Sequence, residues 1–206
     1  MREFHVYDPR EGHGLRHDPL NSIVVPRPIG WISTLGAGGV LNLAPYSFFN
    51  LLSYRPPIVG FSSTGVKDSL RNVEASGEFA WSLATRPLAE AMNATSAAVG
   101  PEVDEFALAG LTPAPSQKIA APRVGESPVS FECKVTQILR LDGHDGLEGT
   151  SWLVLGEAVA VHIEKRLIRD GVYETVLAEP IARGGGPTDY FWVGEENRFH
   201  MRRPEA

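Results

Sequence analysis

Apolar and polar positions along this chain alternate mostly with the period of strands, and only briefly with the period of helices. From Ile29 to Thr34, and again from Val40 to Phe49, the residues are rich in β-branched and aromatic side chains. The small residues Gly36-Ala37-Gly38-Gly39 lie between these runs and predict a hairpin turn. Pro56-Pro57 forbids helix, so Ile58 to Ser62 begins afresh as a short buried strand. Leu70, Val73 and Phe79 then fit a short helix starting at Lys67 and a strand over Glu78 to Ala84.

The remaining elements follow by the same reading. Pro87 to Val99 predicts a helix with proline in its first turn, and Val103 to Ala109 a shorter one. Thr112 to Pro128, with Pro113, Pro115, Pro122 and Pro128, reads as a surface excursion because strand signal resumes after it. Ser130 to Leu141 alternates, turning Phe131, Cys133 and Val135 toward a core, and a shift of phase marks a bulge. Asp142 to Gly149 is a turn, Ser151 to Ile163 is the longest strand signal, and Arg198 to Met201 is a last strand-like segment. Met1 to Asn21 lacks apolar periodicity and reads as an irregular arm.

Composition narrows the classes. A chain of 206 residues with 43% hydrophobic content and no linker-like stretch predicts one domain over residues 1–206. A net charge of −6 argues against nucleic acid and anionic membrane as partners, so any anion site must be local. The lone Cys133 cannot close an internal disulfide, and no signal-like or membrane-spanning apolar run stands out, which makes the cytoplasm the expected compartment.

Two stretches carry candidate chemistry. Ser62, Ser63 and Thr64 stand just before the predicted helix that begins at Lys67. A helix N-terminus offers unpaired N–H groups and partial positive charge, so this corner can hold a phosphate; alternatively Ser63 or Thr64 simply caps the helix. Pro45, inside the run Leu43 to Phe49, removes a ladder donor and implies an edge or bulge. Backbone groups freed there can meet a planar polar heterocycle, or belong to an ordinary edge strand.

Other residues read more plainly. His162 ends an apolar run, as a satisfied histidine or a rim ligand, and Arg183 precedes the turn glycines Gly184-Gly185-Gly186. Cys133 reads as a packed thiol. His13 and His17 have helical i,i+4 spacing, but Gly14 and Pro19 work against a helix and hence against a metal site. Gly36, Gly38 and Gly39 lead into a hairpin, not a helix, so no Rossmann unit is expected. Walker loops, Cys/His clusters and Gly-x-Ser-x-Gly elbows are missing too, which removes the usual phosphotransferase, metal and hydrolase signatures.

Taken in order, Arg27-Pro28-Ile29-Gly30-Trp31-Ile32-Ser33-Thr34, Asn42-Leu43-Ala44-Pro45-Tyr46-Ser47-Phe48-Phe49, Pro56-Pro57 and Lys67-Asp68-Ser69 resemble the FMN-binding split-barrel flavin reductases, flavoredoxin-like proteins included. Asn72 with Gly77-Glu78-Phe79, Ala160-Val161-His162-Ile163 and Ala182-Arg183-Gly184-Gly185 extend the resemblance over nearly the whole chain. It implies a mainly β fold: an antiparallel split β-barrel of Greek-key type, six- or seven-stranded, with small flanking helices. It further implies a homodimer with FMN near the subunit interface and NAD(P)H as reductant, the flavin carrying the chemistry. Electrons would pass to free flavin, a partner monooxygenase or another acceptor; the alternative is a non-catalytic FMN electron carrier reduced by a protein partner.

Residue by residue, the resemblance makes Thr34, Ser62, Ser63 and Lys67 phosphate and ribityl candidates, with Asp68 and Ser69 in the same motif. Asn42, Ala44, Pro45, Tyr46 and Ser47 would line the isoalloxazine, mainly through backbone groups. His162 and Arg183 fall on the nicotinamide side, and the excursion over 112–128 would lie across the flavin. One departure stands at Gly184, where the family's pattern has a leucine.

Overall fold

A computed structural model describes residues 2–204; Met1, Glu205 and Ala206, the ends of the expected arm and domain, lie outside the described residues. Seven strands form the frame: β1 (Gly30–Leu35), β2 (Leu41–Tyr46), β3 (Phe49–Tyr54), β4 (Pro57–Thr64), β5 (Glu78–Ser82), β6 (Val129–Arg140) and β7 (Ser151–Ile163). They make one antiparallel sheet in the order β2-β1-β5-β6-β7-β4-β3. β2 and β3 are consecutive in the chain yet sit at opposite edges of the sheet. Only Ser47-Phe48 joins them, so the sheet must roll until its edges meet. Tyr46 and Phe61 pack across that seam with ring centroids 4.8 Å apart. The barrel is split there, and Pro45 occupies an edge strand, where its missing N–H costs no ladder bond.

Alternation along the strands builds two cores. Ile32, Val59, Phe61, Phe79, Trp81, Cys133 and Val154 point into the barrel, and Leu70 and Val73 of α1 (Asp68–Ser76) pack against the same cluster. Neighbouring positions face outward: Ile29, Trp31 and Leu43 meet Met92 of α2 (Ala89–Ala94), Phe106 of α3 (Glu105–Leu108) and Val124 of the excursion. Both buried indoles are satisfied, Trp31 Nε1 by Thr95 Oγ1 at 3.0 Å and Trp81 Nε1 by the Ile29 carbonyl at 2.9 Å. The bulge expected in the sixth strand appears as register shifts against β7 at Leu155/Gly156 and Ala158/Ala160. At Gly156 the Phe79 ring lies where a side chain would be, since a Cβ there would overlap Phe79 Cε1. Cys133 is fully buried, and burial pushes its thiol pKa well up, which suits packing and not nucleophilic chemistry.

Several expected elements are corrected. The run Val40 to Phe49 is not one strand: it breaks at Ser47-Phe48, because the chain must leave one sheet edge for the other, and β3 follows it. β4 is longer than expected, and Ser62, Ser63 and Thr64 are strand residues, not the helix cap. The helix over Pro87–Val99 shrinks to a single 3-10 turn (Arg86–Leu88) and α2, since Thr95 turns its hydroxyl back to the Met92 carbonyl at 2.7 Å and the chain loosens into turns. Arg198 to Met201 forms no strand; β9 (Tyr190–Trp192) pairs instead with β8 (Ile181–Arg183), which also pairs with Arg27-Pro28.

Candidate functional site

At the split, the free edge of β2 and the start of α1 face the loop after α2, enclosing a cleft of about 590 Å³. Of the residues singled out from sequence, Asn42, Ala44, Pro45, Tyr46, Lys67, Asp68 and Ser69 line it together. Thr34 lies behind it, fully buried. Ser47, Ser62 and Ser63 do not line it; the Ser63 hydroxyl donates to the Gly65 carbonyl at 2.9 Å.

The polar floor is a closed network. Asn42 Oδ1 accepts from Thr34 Oγ1 at 3.1 Å and from Ser69 Oγ at 2.7 Å. Asn72 Nδ2 donates to Thr34 Oγ1 at 3.0 Å. Asn42 Nδ2 and the Leu43 N–H donate to the Glu105 carboxylate at 3.2 and 3.0 Å. β1, β2, α1 and α3 are thereby fixed to one another by groups whose bonding capacity is largely used within the network.

The free capacity sits around this floor. Lys67 is the N-cap residue of α1, and no side chain caps the helix, so the first-turn N–H groups keep no intrahelical partner. Among the described residues Lys67 makes no ion pair, whereas Arg71 is held by Asp68 Oδ1 at 2.9 Å. Tyr46 Oη is buried without a hydrogen-bond partner, with the Ser69 and Ser63 hydroxyls beside it, and burial raises its pKa. An uncapped helix end, an unpaired cation and an orphaned phenol around one cleft fit a phosphorylated, polar-edged ligand.

Sequence reasoning missed Glu105 and the segment 95–101 that forms the opposite wall. Glu105 is 5% exposed, and burial pushes its carboxyl pKa up against the opposing pull of the Leu43 N–H and Asn42. A carboxyl protonated more readily folded than unfolded loses stability as pH rises through the ordinary and then the raised value. Glu105→Gln keeps an acceptor but removes that charge. Urea midpoints should therefore show the variant gaining on wild type from pH 4 to pH 7; a pH-independent difference would refute this.

His162 and Arg183 lie elsewhere in the subunit. His162 is at the end of β7, four strand steps round the sheet from Pro45 through Ser130, Ser82 and Trp31. It lines a separate polar cleft of about 550 Å³ that shares no lining residue with the first. Arg183 donates to the carbonyls of Gly186, Pro187 and Asp189 at 2.9, 2.9 and 3.1 Å and stacks on Tyr190. At Gly184, where the resembled pattern has a leucine, a Cβ would stand 2.8 Å from the Phe191 ring, so a side chain there would need that ring to move.

The family model for the flavin reductase like domain matches residues 22–176. The chain belongs to the flavin reductase-like family. An uncharacterised protein of Aquifex aeolicus (strain VF5) is 38% identical over 173 residues, covering 80% of this chain and 83% of its own. Nitrilotriacetate monooxygenase component B from Bacillus cereus superimposes with a TM-score of 0.88 at 30% identity, covering 98% of this chain and 100% of that one. The 2-nitrobenzoate 2-nitroreductase NbaA of Pseudomonas fluorescens gives 0.78 at 28% identity over 90% and 88%. This family member is thus a split-barrel protein of flavin-related oxidoreduction. Among its described residues no helix is long and apolar enough to cross a membrane.

Proposed function

We propose that this protein is an NAD(P)H-dependent flavin oxidoreductase that holds FMN in the cleft between β2 and α1. The observation that carries the reading is the uncapped N-terminus of α1 with unpaired Lys67, opening onto the free edge of a proline-interrupted strand. Lys67 and the first-turn N–H groups would meet the phosphate, with Ser62 and Ser63 on the adjoining strand end. The backbone from Ala44 to Tyr46, free on one side, would meet the ring edge, while Thr34, Asn42, Ser69 and Glu105 hold strand and helix in place. Bound FMN supplies a ring that takes hydride from NAD(P)H and passes the electrons on.

His162 and Arg183 remain candidates for the nicotinamide side, His162 from the separate cleft that it lines. A homodimer is supported by the apolar side chains left in the open, Phe48, Leu52, Tyr54 and Val161 among them. The likeness to a monooxygenase component B supports a partner monooxygenase as recipient of the reduced flavin. No charge pattern favours nucleic acid or membrane, and a cytoplasmic setting suits a nicotinamide-using protein.

Anaerobic addition of NADH and then NADPH to FMN-loaded protein is expected to bleach the flavin absorbance with at least one of them. A spectrum unchanged by both would defeat the enzyme reading. Light scattering on the same sample should return twice the chain mass of 22.4 kDa.

A further inference from the structure

The second cleft holds a pair that the site above does not use. Glu132 lies on β6 between Ala80 of β5 and Ala160 of β7, small neighbours that leave room over the sheet for a long side chain. Its side chain is fully buried under the excursion. Oε1 accepts from the Gln117 N–H at 2.8 Å and meets His162 Nε2 at 2.6 Å, while Oε2 accepts from the Lys118 N–H at 2.6 Å. Burial alone would raise the carboxyl pKa; the two backbone donors and His162 outweigh it and hold the group below the ordinary glutamate range.

An ionised carboxylate only accepts hydrogen bonds, so the 2.6 Å contact requires the proton on His162 Nε2. Nδ1 is then the nitrogen left over, and in neutral imidazole it is an acceptor. The His162 side chain is 23% exposed and lines the 550 Å³ cleft with Arg123, Ser127, Val161 and Glu164. We propose that Glu132 is a positioning residue that fixes the His162 tautomer, so that Nδ1 is offered as acceptor to an N–H donor on the ligand, the carboxamide of a nicotinamide. The ligand class rests on the NAD(P)H reading above; the tautomer does not. Because Glu132 also holds Gln117 and Lys118, the same carboxylate latches the excursion beside the histidine.

The test is imidazole nitrogen NMR on the full chain labelled at histidine, near pH 8.5, above the ordinary histidine value of about 6.5. Loss of signals in His162→Gln assigns the ring. The wild-type protein should show a hydrogen-bonded Nε2–H proton sheltered from exchange, and Glu132→Leu, which leaves no acceptor, should abolish it; its absence from wild type, or persistence in the variant, overturns the positioning role. NAD+ or NADP+ should shift the Nδ1 resonance, and silence to both at saturating concentration overturns the ligand class. In turnover, Glu132→Leu and His162→Gln should each raise KM for the nicotinamide about tenfold, with the double variant no worse than either. A hundredfold rise in the double variant would show independent action and overturn the coupling. Should wild type react with neither nicotinamide, the oxidoreductase reading fails while the wild-type Nε2–H signal still decides Glu132's role.

Discussion

Replacing Phe61 with alanine is expected to remove about 3–5 kcal/mol of stability, the range for deleting a fully buried phenylalanine. Phe61 is 0% exposed, stands 4.8 Å from the Tyr46 ring and 5.4 Å edge-on to Phe79, and sits on β4 between β7 and β3. Its edge-on neighbour Phe79 already packs over Gly156 and so is not free to fill the void. The loss has two parts, transfer of the ring from water and the cavity left across the seam, and Phe61→Leu should recover most of both. Urea midpoints compared at constant m-value measure it, and a loss under about 1 kcal/mol would mean the seam is not packed as described. Since the same ring supports Tyr46 from beneath, flavin affinity should fall in Phe61→Ala even where the fold persists.

The frame of this fold was legible because strand periodicity is strong wherever one face is buried. Trp31 and Ile32 show why: adjacent residues go to different cores, and a run of large side chains facing both ways reads clearly as strand. The break at Ser47-Phe48 was not legible. Nothing in Val40–Phe49 says that the sheet must close there, because closure is a property of the strand order and the order depends on pairings far apart in sequence. The short helix α2 was overrun for a related reason: Thr95 ends it by bonding its own helix and the Trp31 indole, a tertiary partner that local propensity does not see.

Within the cleft, the helix start and the proline-broken edge could be read because each rests on local backbone chemistry. Glu105 could not. It follows the capping Asp104 in a short acidic-apolar turn and looks like any first-turn glutamate, until folding buries it against Asn42 and Leu43. The resemblance makes Thr34 and Ser69 ligand candidates, and the structure adds that both hydroxyls donate to Asn42 and so also tie the cleft together. Glu132 was hidden in the same way, since a strand glutamate alternating with apolar neighbours reads as solvent-facing until the excursion covers it.

Lys67→Glu is expected to weaken FMN binding about a hundredfold or more while leaving riboflavin affinity within about twofold. A charge-assisted bond to phosphate is worth about 1.5–3 kcal/mol, or roughly ten- to a hundredfold, and reversing the charge adds repulsion. Asp68 and Glu105 already line this cleft, so without Lys67 the helix N-terminus must hold a dianion among carboxylates, with Arg71 committed to Asp68. Because Lys67 is exposed, the penalty should shrink at high salt, where the Debye length falls to about 3 Å at 1 M. Stability should stay within about 0.5 kcal/mol of wild type, since the side chain makes no ion pair among the described residues. Fluorescence titration with both flavins separates the cases: equal weakening of FMN and riboflavin would place Lys67 away from the phosphate, and selective loss of FMN would place it there.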